Sequence, residues 1–348
     1  MSEEKKPLIT FLVYSYNQEN NIRKALDGAL SQTYSPLEII VSDDCSSDKT
    51  FDIIKEVTDA YQGPHKLIVN RNEKNIGLIP HFNKLMAMSN GELIINSAGD
   101  DISLPERTQK LFDSWYPHKN TVKALVSSSH TINADGEELF PSAYEYKETR
   151  IEKDFRTEES FHGACAAYSS EIYKIFGDIN CKSYEDVISF RRALLLGDVY
   201  VLKDKLVNFR LGGTSTGAAN IPQTYTEFIN VKLKQLKQGY EVVKQLIADC
   251  DKLEQTEVLK QTKENLIFVS GIMQNRIRFY ESDSLLERIS LLIKLTSAWV
   301  IKRKGIINLY KFKTHHWFRM FRNLLPDSVN NLFYRSDSWL SKLKTEKK

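Results

Sequence analysis

Strand and helix patterns alternate along the first hundred residues of the chain. Four short apolar runs rich in β-prone side chains span residues 8–14, 37–41, 67–69 and 93–95. Between the runs, apolar side chains recur at helical spacing, as in Ile22, Ala25, Leu26 and Ala29 after the first run. This alternation predicts a parallel sheet whose strands are joined by crossover helices.

The pattern changes in the second hundred residues. Helices are predicted at residues 105–116, near residues 171–176 and from near residue 183, and strands at residues 122–132, 199–202 and 207–211. From Thr224 onward the spacing is almost entirely helical. We therefore expect an α/β domain over residues 1–220 and a helical, basic region over residues 221–348.

The small net charge of +3 conceals an asymmetry along the chain. Residues 291–348 contain 13 Lys and Arg against 3 Asp and Glu, a local charge of +10, which leaves −7 for residues 1–290. A basic end of this kind suits an anionic partner, either a membrane surface or a nucleic acid. No recognised nucleic-acid module accompanies the charge, so a nucleic-acid partner is not expected.

Aromatic side chains are interleaved with the basic residues of this end. A helix carrying Trp317, Phe318 and Phe321 has the composition of an interfacial segment that rests on anionic lipid. The alternative is a helix packed on the α/β domain with its charges in water, and both interpretations stay open. The apolar run LLIKLTSAWVI has only 11 residues and contains Lys294, too short to span a bilayer.

The beginning of the sequence and its cysteines predict the compartment. The opening residues MSEEKKP lack the apolar stretch of a signal peptide. The four cysteines are widely spaced and form no metal-ligand cluster, as is typical of reduced thiols. We expect a cytoplasmic protein, peripheral on the cytoplasmic face of the membrane if the basic end binds lipid.

Polar side chains gather at the carboxyl ends of the four predicted strands, where ligands bind in an open parallel sheet. They are Tyr14, Ser15, Tyr16, Asn17 and Glu19 after the first strand, Asp43 and Asp44 after the second, Asn75 and Gly77 after the third, and Asp100 and Asp101 after the fourth. Each cluster alone has a structural explanation, because such residues form turns and cap helices. Their recurrence at successive strand ends favours a site suited to a nucleotide.

Asp100 and Asp101 are adjacent carboxylates that repel each other directly after a buried strand. A divalent cation would supply the counter-charge, and Mg²⁺ typically needs only one or two carboxylates plus substrate phosphates. We therefore predict a Mn²⁺ or Mg²⁺ cofactor. Neither a GxxxxGK[ST] loop nor a GxGxxG motif follows the first strand, which argues against a P-loop enzyme or a dinucleotide-dependent dehydrogenase.

The first fifty residues resemble the opening of a known enzyme family. The segment PLITFLVYSYNQENNIRKALDGALSQTYSPLEIIVSDDCSSDKT is similar to family 2 inverting glycosyltransferases of the GT-A fold. The resemblance continues through NEKNIGLIPHFN, GELIINSAGDDISLPERTQK and YEDVISFRRALLLG, over roughly residues 7–215. It implies a Rossmann-like mixed sheet flanked by helices, with the helical region following it.

The resemblance also implies roles for the donor-side residues. Tyr14 and Tyr16 would line the pocket for the donor base, and Asp44 would bind the base or the ribose. Asp101 would hold the metal, with Asp100 against the ribose or in the metal shell. The other strand-end residues are assigned to the donor nucleotide as well: Ser15, Asn17, Glu19, Asp43, Asn75 and Gly77.

On the acceptor side, Asp186 occupies the place of the catalytic base of the family, on a helix predicted to begin near Ser183. A carboxylate at such a position could instead only cap backbone N–H groups. Glu185 is its partner in the acidic pair, and His162 and Gly163 are assigned to the acceptor.

Two features depart from the family pattern. The acidic element reads AGDD, so one carboxylate could ligate the metal alone. The segment FRLGGTSTG lacks the histidine that assists the metal in several relatives.

The predicted activity is transfer of a sugar from a UDP- or dTDP-sugar to a hydroxyl of a glycan or lipid-linked glycan, in bacterial surface polysaccharide synthesis. The resemblance implies inversion of the anomeric configuration. Two alternatives stay open: a catalytically inactive GT-A subunit that serves as a scaffold of a glycan assembly complex, and a sugar nucleotidyltransferase. The latter class carries a Gly- and Arg-rich loop after the first strand, which YSYNQEN lacks.

Overall fold

The first unit of the chain is a mixed sheet flanked by helices. The computed structural model describes residues 6–142, 144–151, 161–181, 184–212, 224–282 and 284–301. The strands are β1 (Ile9–Ser15), β2 (Leu37–Asp43), β3 (Lys66–Arg71), β4 (Leu93–Ala98), β5 (Ile102–Ser103), β6 (Val122–Ile132), β7 (Glu138–Leu139), β8 (Thr149–Ile151), β9 (Ala166–Ser169) and β10 (Asp198–Arg210). The helices of this unit are α1 (Ile22–Leu30), α2 (Thr50–Asp59), α3 (Leu78–Met88), α4 (Arg107–Trp115), α5 (Glu171–Phe176) and α6 (Glu185–Leu196).

The strand order is β3-β2-β1-β4-β9-β6-β10-β5, with β7 beside β6 and β8 beside β10. β1 pairs in parallel with β2 on one side and with β4 on the other. β9 is antiparallel to both of its neighbours, β4 and β6, so the sheet is mixed. The chain winds outward from β1 to β3 and then returns to β4, and ligands bind at such a reversal of strand order.

The apolar runs that form β1, β2 and β4 are buried on both faces of the sheet, whereas β3 at its edge is partly exposed. Phe11 of β1 lies in one core cluster with Leu26 of α1, and the neighbouring Leu12 lies in a second cluster with Leu85 of α3. All four side chains are completely buried. Double-sided burial explains why these strands read as continuous apolar runs rather than as alternating patterns.

One element differs from its sequence-based prediction. The two strands expected at residues 199–202 and 207–211 form a single strand, β10, paired with β6. The register shifts between Leu202 and Lys205, where polar residues interrupt the apolar pattern. An extra residue in a strand makes a bulge that bends the strand without ending it.

The second unit contains three helices in the part of the chain that the structure describes, α7 (Tyr225–Cys250), α8 (Glu257–Glu281) and α9 (Leu285–Ile301). α8 packs against both α7 and α9. Thr224 and Thr256 cap the first two helices, each accepting a hydrogen bond from a backbone N–H three residues later. A helical region after the sheet is therefore confirmed.

Several predictions fall on residues outside the described ranges. These are the boundary at residue 220, the start of a helix near Ser183, most of the GGTSTG loop and the basic segment from residue 302. Among the helices within the described ranges, none has the length and apolar character needed to cross a bilayer.

Candidate active site

A cavity of about 420 Å³ opens at the carboxyl ends of β1 and β4. Twelve of the site residues predicted from the sequence line it: Tyr14, Ser15, Tyr16, Asp44, Asn75, Gly77, Asp100, Asp101, His162, Gly163, Glu185 and Asp186. The donor-side and acceptor-side predictions therefore meet in one cleft. Asn17, Glu19 and Asp43 are not part of its lining.

These three residues hold the loops around the cavity. Asn17 and Glu19 accept hydrogen bonds from the backbone N–H groups of Ser47 and Lys49 and so tie the β1–α1 loop to the β2–α2 loop. Asp43 is fully buried and accepts the backbone N–H of Ser46 at 2.9 Å. Their contacts give them a structural role at the edge of the site.

Asp44 combines a structural role with a position in the cavity lining. Its Oδ1 accepts hydrogen bonds from Asn72 Nδ2 at 2.8 Å and Ile76 N at 3.0 Å, and its Oδ2 accepts one from Gly77 N at 2.9 Å. Gly77 has a φ of 84°, a backbone conformation that favours glycine. Asn75 also accepts the Gly77 N–H, at 2.9 Å. Asp44 therefore fixes the loop from which α3 starts.

The acidic pair after β4 is closely tied to the end of β10. Asp101 Oδ1 accepts the backbone N–H of Arg210 at 2.8 Å, and the Asp100 carbonyl accepts Arg210 Nε at 3.1 Å. Burial, followed by the charge of Asp100, raises the pKa of Asp101 to about 8. The two carboxylates thus lie in a site where their charge is only partly compensated.

A buried cation lies near this pair. Arg107 of α4 is fully buried and donates to the carbonyls of Asn96 at 3.0 Å and Ala164 at 2.7 Å. Burial lowers its pKa to about 10, and the charges of Cys165 and Asp101 act in the opposite direction. At neutral pH its positive charge therefore favours ionisation of the acidic pair.

The acidic pair fits a divalent cation that also contacts a diphosphate. Asp100 and Asp101 are hard oxygen donors at the wall of a cavity that has room for a ligand. A carboxyl whose pKa is raised by burial and by a like charge gains from a cation beside it. The described residues contain no group of three or more His, Cys, Asp or Glu arranged for a metal, so diphosphate oxygens and water would complete the shell.

A second acidic pair stands at the start of α6. Asp186 Oδ1 accepts Val187 N at 2.7 Å and Oδ2 accepts Gly163 N at 3.2 Å, while Glu185 Oε1 accepts the Tyr14 hydroxyl at 2.8 Å. Burial raises the pKa of Asp186 against these two backbone hydrogen bonds. Burial and the charge of Asp186 raise the pKa of Glu185 to about 7. Glu185 can therefore exchange protons near neutral pH, and Asp186 holds its proton more tightly than an ordinary aspartate.

Gly163 and His162 also line the cavity, with Gly163 directly beside Asp186. A Cβ at Gly163 would lie 2.8 Å from Asp186 Cβ, so only glycine lets the two backbones approach this closely. The His162 ring packs against Tyr144 and Phe209, with ring centroids 4.7 and 4.0 Å apart. Burial lowers the pKa of His162 to about 4, so the imidazole is neutral at pH 7.

Three tyrosines, Tyr14, Tyr16 and Tyr184, line the cavity. Tyr16 and Tyr184 are 42% and 46% exposed, which leaves their rings accessible to a planar ligand. Tyr14 instead turns its hydroxyl to Glu185 and packs edge-on against His81 and Phe82. Of the two tyrosines predicted to line the pocket for the donor base, Tyr16 is thus the more exposed to solvent.

Sequence reasoning missed Arg210, Tyr184 and His81, all of which line the cavity. Arg210 lies in FRLGGTSTG, the segment searched for a histidine. The sequence feature that could have identified Arg210 is its position at the end of the last long strand of the sheet. Tyr184 precedes the acidic pair directly, but a single exposed aromatic residue carries no pattern.

The mixed sheet, with its cleft at the ends of β1 and β4 and its following helices, has the architecture of the GT-A fold. Solved structures share this architecture. Staphylococcus aureus TarS 1–349 in complex with UDP-GlcNAc superimposes with a TM-score of 0.55 at 19% identity, covering 83% of this chain and 81% of that one. The mannosyltransferase PcManGT from Pyrobaculum calidifontis, in complex with GDP-Man and Mn²⁺, gives a TM-score of 0.51 at 16% identity, covering 94% and 88%.

Residues 10–176, slightly less than half of the chain, match the family model described as Glycosyl transferase family 2. The putative glycosyltransferase EpsE of Bacillus subtilis is 33% identical over 141 residues, 40% of this chain and 50% of that protein. An uncharacterized glycosyltransferase of Haemophilus influenzae is 26% identical over 227 residues, 62% and 69% of the two chains. The matches to EpsE and to an uncharacterized Methanocaldococcus jannaschii glycosyltransferase span only about half of those proteins.

Proposed function

We propose that the protein transfers a sugar from a nucleotide diphosphate donor to a hydroxyl group of a glycan, with inversion at the anomeric carbon. The observation that carries the proposal is that Asp101 and Asp186, on different elements, line the same cavity. The first belongs to a pair suited to the diphosphate end of a donor, and the second is a half-buried carboxylate with a raised pKa. A transferase needs both groups within the length of one sugar.

Asp186 acts as the general base. An acceptor hydroxyl is a weak nucleophile near pH 7, and a carboxylate that takes its proton as it attacks typically contributes about 10² to 10⁴ in rate. The backbone N–H groups of Gly163 and Val187 fix the orientation of the Asp186 carboxylate. The acceptor hydroxyl displaces the nucleoside diphosphate in a single step that one base assists. The product therefore has the inverted configuration at the anomeric carbon.

Asp101, with Asp100 beside it, holds Mn²⁺ or Mg²⁺ together with the donor diphosphate. Such an ion supplies Lewis-acid stabilisation of the negative charge that develops on the leaving phosphate. Two similar structures support the assignment, since PcManGT is in complex with GDP-Man and Mn²⁺ and TarS with UDP-GlcNAc. Asp44 and Tyr16 bind the nucleoside, which we assign to UDP or dTDP.

The acceptor is a glycan or lipid-linked glycan of bacterial surface polysaccharide synthesis, bound beside His162 and Gly163. A lipid-linked acceptor would bring the enzyme to the cytoplasmic face of an anionic membrane. An apolar stripe on α9 supports this, since Leu286, Ile289 and Ile293 are 80%, 39% and 60% exposed at helical spacing. The local charge of +10 over residues 291–348 adds attraction to anionic lipid.

Vesicle flotation tests the membrane contact. We expect the protein to float with phosphatidylglycerol vesicles at low salt and not with phosphatidylcholine vesicles. Leu286→Ser with Ile293→Ser should weaken binding. Equal recovery with neutral and anionic vesicles would contradict the proposal.

A donor screen tests the activity. The protein is incubated with Mn²⁺, acceptor extracts and a panel of nucleotide sugars, and release of free nucleoside diphosphate is measured. We expect turnover of one UDP- or dTDP-sugar that is lost in Asp101→Asn and in Asp186→Asn. The matched control is Asp113→Asn on α4, because Asp113 is an exposed carboxylate outside the cavity.

The same screen separates the alternatives. Nucleotide binding without turnover of any donor would favour the inactive scaffold. Release of pyrophosphate from a nucleoside triphosphate and a sugar phosphate would favour the nucleotidyltransferase.

A further inference from the structure

A chain of hydrogen bonds links two residues of the cavity lining, Asp44 and His81. Asp44 Oδ1 accepts Asn72 Nδ2 at 2.8 Å, and Asn72 Oδ1 accepts Asn70 Nδ2 at 3.3 Å. The same amide nitrogen of Asn70 donates to Ser42 Oγ at 2.8 Å, and Ser42 Oγ lies 2.6 Å from His81 Nε2. The first and the last side chain of this chain both line the cavity.

The direction of these hydrogen bonds is fixed from the Asp44 end. A carboxylate only accepts, so Asn72 turns its amide nitrogen to Asp44 and its carbonyl oxygen to Asn70. Lys84 Nζ donates to the same Asn72 oxygen at 2.8 Å, as this orientation requires. Asn70 must then present its own amide nitrogen, which also donates to Ser42 Oγ. Two contacts therefore fix the amide orientation of Asn72, and that of Asn70 follows from it.

The last contact sets the tautomer of His81. Ser42 is completely buried, and its Oγ already accepts from Asn70. Within the part of the chain that the structure describes, His81 Nε2 is the only acceptor in reach of the Ser42 hydroxyl proton. A buried hydroxyl without an acceptor costs free energy, so the hydroxyl donates to Nε2 and the imidazole carries its own proton on Nδ1. Burial lowers the pKa of His81 against the charges of Asp44 and Asp43, so the ring is neutral at pH 7.

The two ends offer opposite hydrogen-bonding groups to the cavity. A carboxylate has about four acceptor sites, and Asp44 uses three of them for the N–H donors already described. Nδ1 of His81 has no hydrogen-bond partner among the described residues, and it is not fully buried. Because both side chains line the cavity, Asp44 supplies an acceptor there and His81 supplies a donor.

On the basis of the function proposed above, we propose that His81 selects a uracil or thymine base in the donor nucleotide, together with Asp44. Uracil and thymine present an N3–H donor next to the C4 carbonyl acceptor, which matches the Asp44 acceptor and the His81 donor. Cytosine presents an acceptor at N3 and an amino donor at C4, so both contacts would be reversed. A polar site rejects such a base strongly, because its own buried groups are left unpaired.

The proposed base contacts lie on one side of β1 and the proposed diphosphate contacts on the other. Asp44 follows β2, and His81 lies in the first turn of α3, where its N–H donates to the Gly77 carbonyl at 3.0 Å. Asp101 follows β4, which flanks β1 on the side opposite to β2. A nucleoside diphosphate that lies across the end of β1 would therefore bring its base to His81 and its phosphates to Asp101.

Calorimetry with UDP and CDP measures the selection, because these nucleotides differ only at N3 and C4 of the base. We expect the full-length protein with Mn²⁺ to bind UDP at least about tenfold more tightly than CDP. His81→Gln separates specificity from structure, since the Gln amide oxygen can still accept the Ser42 hydroxyl but no donor remains at the Nδ1 position. This variant should be as stable as wild type, and its preference for UDP should fall about five- to tenfold, chiefly through weaker UDP binding.

His81→Asn is the converse variant. An Asn amide nitrogen lies where Nδ1 lies in histidine and can donate to the base, but the shorter side chain does not reach Ser42. We expect His81→Asn to keep a UDP preference within about threefold of wild type and to unfold at a lower urea concentration. His65→Gln is the matched control, because His65 is also buried and bonded through Nε2, to the Gln32 carbonyl at 2.8 Å, but lies outside the cavity lining. It should leave the UDP preference unchanged.

Long-range ¹H–¹⁵N NMR of the imidazole rings measures the tautomer directly. The His81 signals are assigned by their loss in His81→Gln or His81→Asn. Wild type at pH 7 should show a protonated Nδ1 and an unprotonated Nε2 at His81. Ser42→Ala removes the hydroxyl that holds this tautomer, so the proton should shift toward Nε2 and the UDP preference should fall.

Three results overturn the inference: equal affinity of wild type for UDP and CDP, a preference unchanged in His81→Gln, and a proton on Nε2 of His81 in wild type. If His81→Gln does not fold, the wild-type tautomer and the UDP preference of Ser42→Ala decide. A protein that prefers UDP but transfers no sugar contradicts the proposed function and leaves the inference standing. Sugar transfer without a preference for uracil over cytosine overturns the inference alone.

Discussion

Replacing Gly163 with alanine tests how closely the function depends on the position of Asp186. The added Cβ would lie 2.8 Å from Asp186 Cβ, 3.2 Å from its Oδ2 and 3.3 Å from its Cγ. Carbon atoms pack at about 3.5 to 4.0 Å, so the two groups must separate by about 1 Å. The hydrogen bond from Gly163 N to Asp186 Oδ2, already 3.2 Å long, would stretch with this movement.

A catalytic group displaced by about 1 Å can cost roughly 10² in rate. We therefore expect Gly163→Ala to lower kcat about 100-fold, which corresponds to about 2.7 kcal/mol of transition-state stabilisation. The affinity for the donor should change little, because the proposed donor-binding residues lie on the side of β1 and β4. Steady-state kinetics of nucleoside diphosphate release, with donor affinity from calorimetry, separate these effects.

The control is Gly271→Ala on α8, where an added Cβ meets nothing within 4 Å. Alanine favours a helix over glycine by about 1 kcal/mol, so this variant should be as stable as wild type and as active. A folded Gly163→Ala protein with wild-type kcat would refute the assignment of Asp186 as the base. A catalytic base that has moved by about 1 Å should not support transfer at the wild-type rate.

Three further predictions concern the donor site and stability. Asp101→Asn should weaken Mn²⁺-dependent nucleoside diphosphate binding at least about tenfold in calorimetry and leave metal-free binding unchanged; equal losses with and without Mn²⁺ would contradict the assignment. Asp44→Ala leaves Asn72 Nδ2 and Ile76 N without the acceptor that Asp44 supplies, while Gly77 N keeps its bond to Asn75, and it should lower the free energy of unfolding in urea by about 3 kcal/mol, with a wild-type value refuting the loop-holding role. Burial would raise the pKa of Glu38, but hydrogen bonds from Asn90 and Thr10 outweigh it and lower the pKa. Its stabilisation is therefore present above about pH 4 and lost as pH falls further, so Glu38→Gln should destabilise at pH 7 and approach wild type near pH 3, whereas a pH-independent difference would refute it.

The sheet could be predicted because its inner strands are buried on both faces. Leu12 and Phe11 point to opposite sides and are both completely buried, so the apolar run that contains them could hardly be a surface helix. The convergence of strand ends also followed from topology, since parallel strands joined by crossovers present their carboxyl ends at one edge. Topology alone therefore places Asp44 and Asp101 at one edge of the sheet.

Contacts between distant segments could not be predicted. Asp43 and Asp44 follow the same apolar run, and only the turn of the chain after β2 decides that Asp44 lines the cavity while Asp43 binds Ser46. Arg210 reaches Asp101 across 109 positions, and its partner depends on where β10 ends. A side-chain contact of this kind leaves no periodic signal in the sequence.

Diffraction from crystals grown with Mn²⁺ and the donor chosen by the screen tests the central claim most directly. The account predicts an anomalous manganese peak about 2.0 to 2.3 Å from a carboxylate oxygen of Asp101, bridged to the diphosphate. The sugar should extend from there toward the carboxylate of Asp186. A donor bound away from this cavity, or a sugar that points away from Asp186, would contradict the account.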